Sequence, residues 1–186
     1  MELTQNPSVL ELVRKTAELT TPKEIVWIDG SEAQLESLRK IAVETGELIK
    51  LNEEKLPGCY LNRSDVNDVA RVEGRTFICS RTREEAGPTN NWMDPDEMKA
   101  KLHEILRGAM AGRTMYVIPY AMGVIGSPFA KYGIEVTDSI YVVLNMAIMT
   151  RIGTKVLDAL GDSSDVILGV HSKVTLDPET VSYTHL

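Results

Sequence analysis

The sequence is poor in the residues that build covalently or metal-stapled scaffolds. It has two cysteines, Cys59 and Cys79, with no C-x-x-C spacing and no histidine beside either. That argues against a zinc site, and without an export signal a disulfide is not the expected state. Histidines number three, and nothing has the spacing of a Ser-His-Asp triad. A Gly-Lys pair is absent throughout, which excludes a Walker-type phosphate loop. Apolar runs fall short of a membrane span. The opening MELTQNPSVL lacks the basic and apolar regions of a secretory signal. Basic residues are also outnumbered, 20 against 27 acidic, for a net charge of −7. Nucleic-acid-binding surfaces usually show a basic excess, so the balance speaks against one while leaving room for a local anion pocket. These absences predict a cytoplasmic protein with neither nucleic acid nor membrane as partner.

What is present suits one domain. Hydrophobic residues make up 43% and charged residues 25% of 186, enough apolar material for a core. Asn6-Pro7 reads as the start of a helix through about Thr20. Glu24 to Ile28 reads as a buried strand, followed by a Ser31-capped helix to about Thr45. Leu48 to Leu51 and Arg75 to Cys79 read as further strands, with an Asp65-capped short helix between them. Asp94-Pro95 opens a helix through about Arg107. Arg113 to Ile118 reads as a buried strand ended by Pro119, and Ile134 to Val136 as a short one. Ser139 to Arg151 is apolar almost throughout, so it is expected to be a helix buried on most sides. A second short helix ends at Gly161, and Val166 to Val170 forms a last strand. Alternating strands and helices predict an α/β class, with a mixed sheet flanked by helices.

Three stretches could carry chemistry. Ser80 to Glu85 leaves the C-terminal end of a strand, the edge where open α/β sheets gather ligands. Arg81 and Arg83 there could grip a carboxylate or phosphate, with Glu84 and Glu85 orienting them. The bland alternative is a solvated charge run. Met122 to Pro128 holds Gly123 and Gly126 and could cradle an anion with backbone N–H groups; a turn that merely redirects the chain is the simpler reading. His103 reads as a surface residue and His171 as structural. Asp138-Ser139 reads as a helix N-cap.

Longer strings carry a resemblance. Gly112 to Pro119 (GRTMYVIP) followed by Met122-Gly123 and Gly126-Ser127-Pro128 resembles the N-terminal part of GTP-dependent phosphoenolpyruvate carboxykinases. So do Ile134 to Ser139 with Tyr141-Val142-Val143, and Ile148 to Arg151 before Gly153. Upstream, Asp29 to Glu32, Asp68 to Glu73 and Gly87 to Trp92 fit as well. The likeness runs from about residue 6 to residue 172.

The resemblance implies a reaction in which oxaloacetate loses CO2 and the resulting enolate takes the γ-phosphoryl of GTP, giving phosphoenolpyruvate and GDP. In such enzymes Mn2+ acts on the substrate, and a further Mg2+ or Mn2+ accompanies the nucleotide. It also implies a substrate-binding arginine in the loop after the Arg75 to Cys79 strand, where this chain offers Arg83 and Arg81. The family's metal ligands, phosphate loop and guanine pocket match nothing here. The chain is therefore expected to be an N-terminal substrate-side domain over residues 1–172, truncated before the nucleotide-binding domain. Catalytic, nucleotide and metal residues would then come from the missing C-terminal domain of the same chain. Residues 173–186 read as a divergent tail. Val181 to Leu186 (VSYTHL) match a translated sequencing adaptor and are expected not to be biological. The alternative from another class is a stand-alone small-anion-binding or regulatory module.

Overall fold

Helix α1 (Pro7–Thr20) starts where Asn6 caps it. The Asn6 side-chain oxygen accepts from the amides of Ser8 and Val9 at 3.0 and 3.2 Å. Its amide donates to the carbonyls of Gly161 and Ser163, so the cap also ties α1 to a distant part of the chain. The computed structural model describes residues 2–63 and 73–173. The Asp65-capped helix expected from the sequence, and the tail from residue 174, lie outside the described residues.

After α1 come β1 (Glu24–Trp27), α2 (Glu32–Glu44), β2 (Ile49–Lys50) and β3 (Tyr60–Leu61). Next are β4 (Phe77–Ile78), β5 (Asn91–Trp92), α3 (Pro95–Leu106) and β6 (Thr114–Met122). The described chain closes with β7 (Lys131–Thr137), α4 (Ile140–Met149), β8 (Arg151–Ile152), α5 (Thr154–Leu160) and β9 (Ile167–Val170). The main sheet runs β1-β6-β7-β9, with β8 also paired to β6. β1/β6 and β7/β9 are parallel, whereas β6 pairs antiparallel with both β7 and β8. The class is α/β with a mixed sheet flanked by helices, as the alternation of elements predicts. The β2/β3 and β4/β5 pairs are separate two-stranded ribbons.

Strand β6 is the axis of the fold, and its alternation divides the core. Met115 and Val117 point to one face, where they pack with Val9 and Val13 of α1 and Leu157 and Leu160 of α5. Tyr116 and Ile118 point to the other, against Leu35, Leu38 and Ala42 of α2 and Ile140, Val143 and Leu144 of α4. The strand does not end at Pro119 as its sequence suggests; it continues to Met122. The Pro119 carbonyl accepts from the Gly153 amide at 2.9 Å. The ring nitrogen of the same residue therefore faces the edge where β1 has ended and β8 begins, and no ladder donor is required there.

That junction depends on Gly153. Its φ is +101°, and a Cβ there would overlap the carbonyl of Asp29, which accepts from the Thr154 amide at 3.1 Å. A side chain would push the β8 turn off the end of β1.

Helix α4 departs from expectation. Ile140, Val143 and Leu144 are buried, but Ile148 and Met149 are 83% and 69% exposed. The helix meets the sheet and α2 with one side only, so an apolar sequence face is left uncovered among the described residues.

Candidate functional site

The arginine loop is held in place by its own flank. Trp92 Nε1 donates to the Ser80 carbonyl at 3.0 Å, and the Asn90 amide to the Ala86 carbonyl at 2.7 Å. The Asn91 amide reaches back to the carbonyls of Glu73 and Thr76. The Ser80 hydroxyl donates to the Thr82 carbonyl at 2.9 Å, and a short 3-10 turn follows over Glu84–Ala86 with Ala86 buried. Three consecutive side chains thus lace residues 73 to 92 into one unit, with Arg81 and Arg83 both exposed on its surface. Glu84 and Glu85 are exposed too, and no ion pair joins either to the arginines among the described residues; the expected orienting role is not seen. The strand before the loop, β4, belongs to the β4/β5 ribbon and not to the main sheet. The loop therefore does not leave the C-terminal edge of the main sheet.

The glycine-bearing stretch Met122 to Pro128 is a hairpin connection between β6 and β7. The Gly126 amide donates to the Tyr132 hydroxyl at 2.9 Å, and the Ser127 and Ala130 amides close turns within the loop. It redirects the chain, and Phe129 at its tip is 88% exposed.

Thr137, Asp138 and Ser139 form a buried polar junction between β7 and α4. Ser139, not Asp138, caps α4, with its hydroxyl accepting from the Val142 amide at 3.4 Å. The Asp138 carboxylate turns the other way. It pairs with Arg113 at 2.8 Å, and accepts from the Ser172 hydroxyl at 2.9 Å and the Lys173 amide at 2.8 Å. Arg113 also donates to the Ala109 carbonyl. Glu47 completes the node by accepting from the Ser139 hydroxyl at 3.1 Å and the Tyr141 amide at 3.0 Å, while Lys173 Nζ lies 3.3 Å away. A fully buried carboxylate is tolerable only with such a donor set. Its effect is to pin the chain leaving β9 to the start of α4.

A second carboxylate has no such set. Glu135 stands on β7 across from Gly169, and a Cβ on Gly169 would overlap its carboxyl. The Tyr120 ring lies over Gly133 in the same way. No hydrogen bond or ion pair reaches Glu135 among the described residues, and burial alone raises its pKa from 4.5 to about 7.

Residues 11–183 match the model of the phosphoenolpyruvate carboxykinase N-terminal domain. The chain belongs to that family. It is 53% identical over 176 residues to a phosphoenolpyruvate carboxykinase [GTP] of Anaeromyxobacter dehalogenans (strain 2CP-C), covering 95% of this chain and 30% of the relative. The same-named protein of Corynebacterium kroppenstedtii is 54% identical, over 91% of this chain and 27% of its own length. That of Neocallimastix frontalis is 52% identical, over 90% and 28%. The chain thus spans under a third of the length of these relatives.

Seen as a carboxykinase N-terminal domain, the strings that carry the resemblance have structural work to do. Gly87 to Trp92 laces the arginine loop, Gly112 to Pro119 feeds the central strand, and Thr137 to Ser139 forms the buried junction. His103 is exposed on α3. His171 lies half-buried after β9, its Nδ1 2.8 Å from the Thr137 hydroxyl. Both cysteines are free thiols. No group of three or more His, Cys, Asp or Glu side chains is placed to hold a metal among the described residues. No described helix is long and apolar enough to cross a membrane. The sequence reading missed Arg113, Glu47 and Glu135. A signal existed for the junction alone: three polar residues in a row between a strand and an apolar helix.

Proposed function

We propose that this chain, over residues 1–172, is the substrate-side N-terminal domain of a cytoplasmic GTP-dependent phosphoenolpyruvate carboxykinase. In the whole enzyme the C–C bond of oxaloacetate to its leaving carboxylate breaks, CO2 departs, and the enolate oxygen takes the γ-phosphoryl of GTP. GDP and phosphoenolpyruvate result. GTP, Mn2+ and the nucleotide's Mg2+ or Mn2+ would be held by the C-terminal domain, and the 186-residue chain would not turn over alone. The observation that carries this reading is the 53% identity to a GTP-dependent carboxykinase along 95% of the chain.

Within that reading, the loop of Arg81 and Arg83 contributes to gripping the carboxylate or phosphate of oxaloacetate and phosphoenolpyruvate. Two exposed guanidinium groups on a laced loop suit a charge-assisted grip on an anion.

The test grafts residues 1–173 in place of the matching stretch of the Anaeromyxobacter relative and measures turnover. Arg83→Ala and Arg81→Ala are each compared with Arg71→Ala, whose arginine belongs to the Asp68 to Glu73 string earlier in the sequence. One lost charge-assisted contact, about 1.5–3 kcal/mol, should raise KM for oxaloacetate roughly 10- to 150-fold with kcat less affected. A KM effect confined to Arg71→Ala would remove the grip from the loop. Phosphoenolpyruvate formed by the 186-residue chain itself, given oxaloacetate, GTP and Mn2+, would overturn the claim that it is inactive alone.

A further inference from the structure

The segment that bears Arg81 and Arg83 has little of its own to hold it. Residues 81–85 are all exposed, and all but Thr82 are charged. Among the described residues no ion pair or side-chain hydrogen bond reaches either arginine. The ladder beneath the loop is minimal. Strands β4 and β5 run parallel and pair only Phe77 with Asn91 and Ile78 with Trp92. So short a parallel pair, with no third strand, is marginal by itself. A solvated charge run on such a base should be loose.

Instead, both ends of the charged arc are clamped from one short stretch. Trp92 Nε1 donates to the carbonyl of Ser80, the residue just before Arg81. The Asn90 side-chain amide donates to the carbonyl of Ala86, the last residue of the 3-10 turn that follows Arg83. Between them, the Asn91 side chain donates to the carbonyls of Glu73 and Thr76, ahead of β4, and fixes the base. Every one of these bonds ends on a backbone carbonyl. They set the course of the chain and leave the guanidinium groups untouched. Ala86 is buried and Trp92 half-buried, while both arginines, between the clamped points, stand in solvent.

Stability alone does not account for this placement. An exposed charge run contributes little to folding wherever it lies, so ordering it costs chain entropy without stabilising the fold. Binding an anion is different. Guanidinium groups already held in one arrangement need not be ordered when the ligand arrives, so less of the contact energy is lost.

We propose that Trp92 and Asn90 are positioning residues: by clamping Ser80 and Ala86 they present Arg81 and Arg83 together to one carboxylate- or phosphate-bearing anion. Asn91 secures the base of the clamp. This role rests on the anion grip proposed above, and Trp92 and Asn90 act only through the two arginines.

A double-mutant cycle in the graft on the Anaeromyxobacter relative tests it. Trp92→Phe keeps a ring and deletes the N–H, and Asn90→Ala deletes the amide at an exposed position. Each should raise KM for oxaloacetate about 2- to 12-fold, the range of one neutral hydrogen bond, with kcat less affected. Added to Arg81→Ala and Arg83→Ala together, each should change KM by less than about twofold more, because the groups it positions are gone. A residue that only supports the fold would add its full effect in both backgrounds, and that result overturns the proposal. An unchanged KM in Trp92→Phe or in Asn90→Ala, while the arginine variants raise it, also overturns it and leaves the grip standing. Arginine variants without effect on KM sink the grip, and the positioning role with it.

The clamp is also read without turnover. In the 186-residue chain, trypsin should cut after Arg81 and Arg83 at least about threefold faster in either variant than in the parent, with cutting after Arg14 of α1 unchanged. Unchanged cutting at 81 and 83 means that other contacts hold the loop, which refutes the clamp. Cutting that accelerates equally after Arg14 marks general unfolding and refutes it as well.

Discussion

Replacing Glu135 by Gln isolates the cost of an unpaired carboxyl on the sheet. Burial raises its folded pKa from 4.5 to about 7. Full burial at that shift would be worth ~3 kcal/mol, and residual solvent at a half-buried site reduces it to about 1–2 kcal/mol. The sign follows from proton linkage. The folded state holds the proton more tightly than the unfolded chain does. Below pH 4.5 both states are protonated and the group costs nothing. As pH rises from 4.5 to about 7 the unfolded chain ionises first and stability is lost; above that the loss is complete. Gln fits the same space and stays neutral. The variant should therefore be more stable than the parent by about 1–2 kcal/mol at pH 8 and equal to it within about 0.5 kcal/mol at pH 4.5. Urea unfolding of both proteins at pH 4.5, 6, 7 and 8 measures the difference directly. A gain independent of pH, or a loss at pH 8, would refute the reasoning. Tyr120 gives a second readout. Burial and then the Glu135 charge raise its pKa, so spectrophotometric titration should find it lower in the variant.

Other changes probe the remaining supports of the fold. Asp138→Asn removes the charge that Arg113, Ser172 and the Lys173 amide all address. It should cost about 2–4 kcal/mol in denaturant unfolding, and an unchanged midpoint would show that the buried pair is dispensable. Gly153→Ala forces a Cβ into the Asp29 carbonyl at positive φ and should cost roughly 2–3 kcal/mol, with hydrogen exchange accelerated in β8 and the end of β1. Phe129→Ser, at the hairpin tip, should stay within about 0.5 kcal/mol of the parent in thermal unfolding, because that ring is almost wholly in solvent.

The sequence by itself determined the local structure and the class. Asn6, Ser31 and Asp94 each cap the helix that follows them, because a short side-chain acceptor before a run of helix formers satisfies amides within three residues. Strand β6 was readable as a continuous apolar run because both of its faces are buried. The family was readable too, since strings such as GRTMYVIP and GPTNNW are long enough to be specific. The arginine loop was visible as a charged loop, but its neighbours were not. Tertiary structure alone decided that β4 lies in a ribbon apart from the main sheet. It also carried β6 through Pro119, since only the placement of β8 shows that no donor is needed there. It brought Arg113 to Asp138, and Ser172 and Glu47 to the same junction, across 25 to 126 positions of chain. And it left Ile148 and Met149 of α4 uncovered among the described residues. Helix caps and strand alternation are short-range and have a fixed period, so they are written locally. Pairing across a sheet, and which face a helix covers, depend on closing long loops between segments whose local preferences do not name each other.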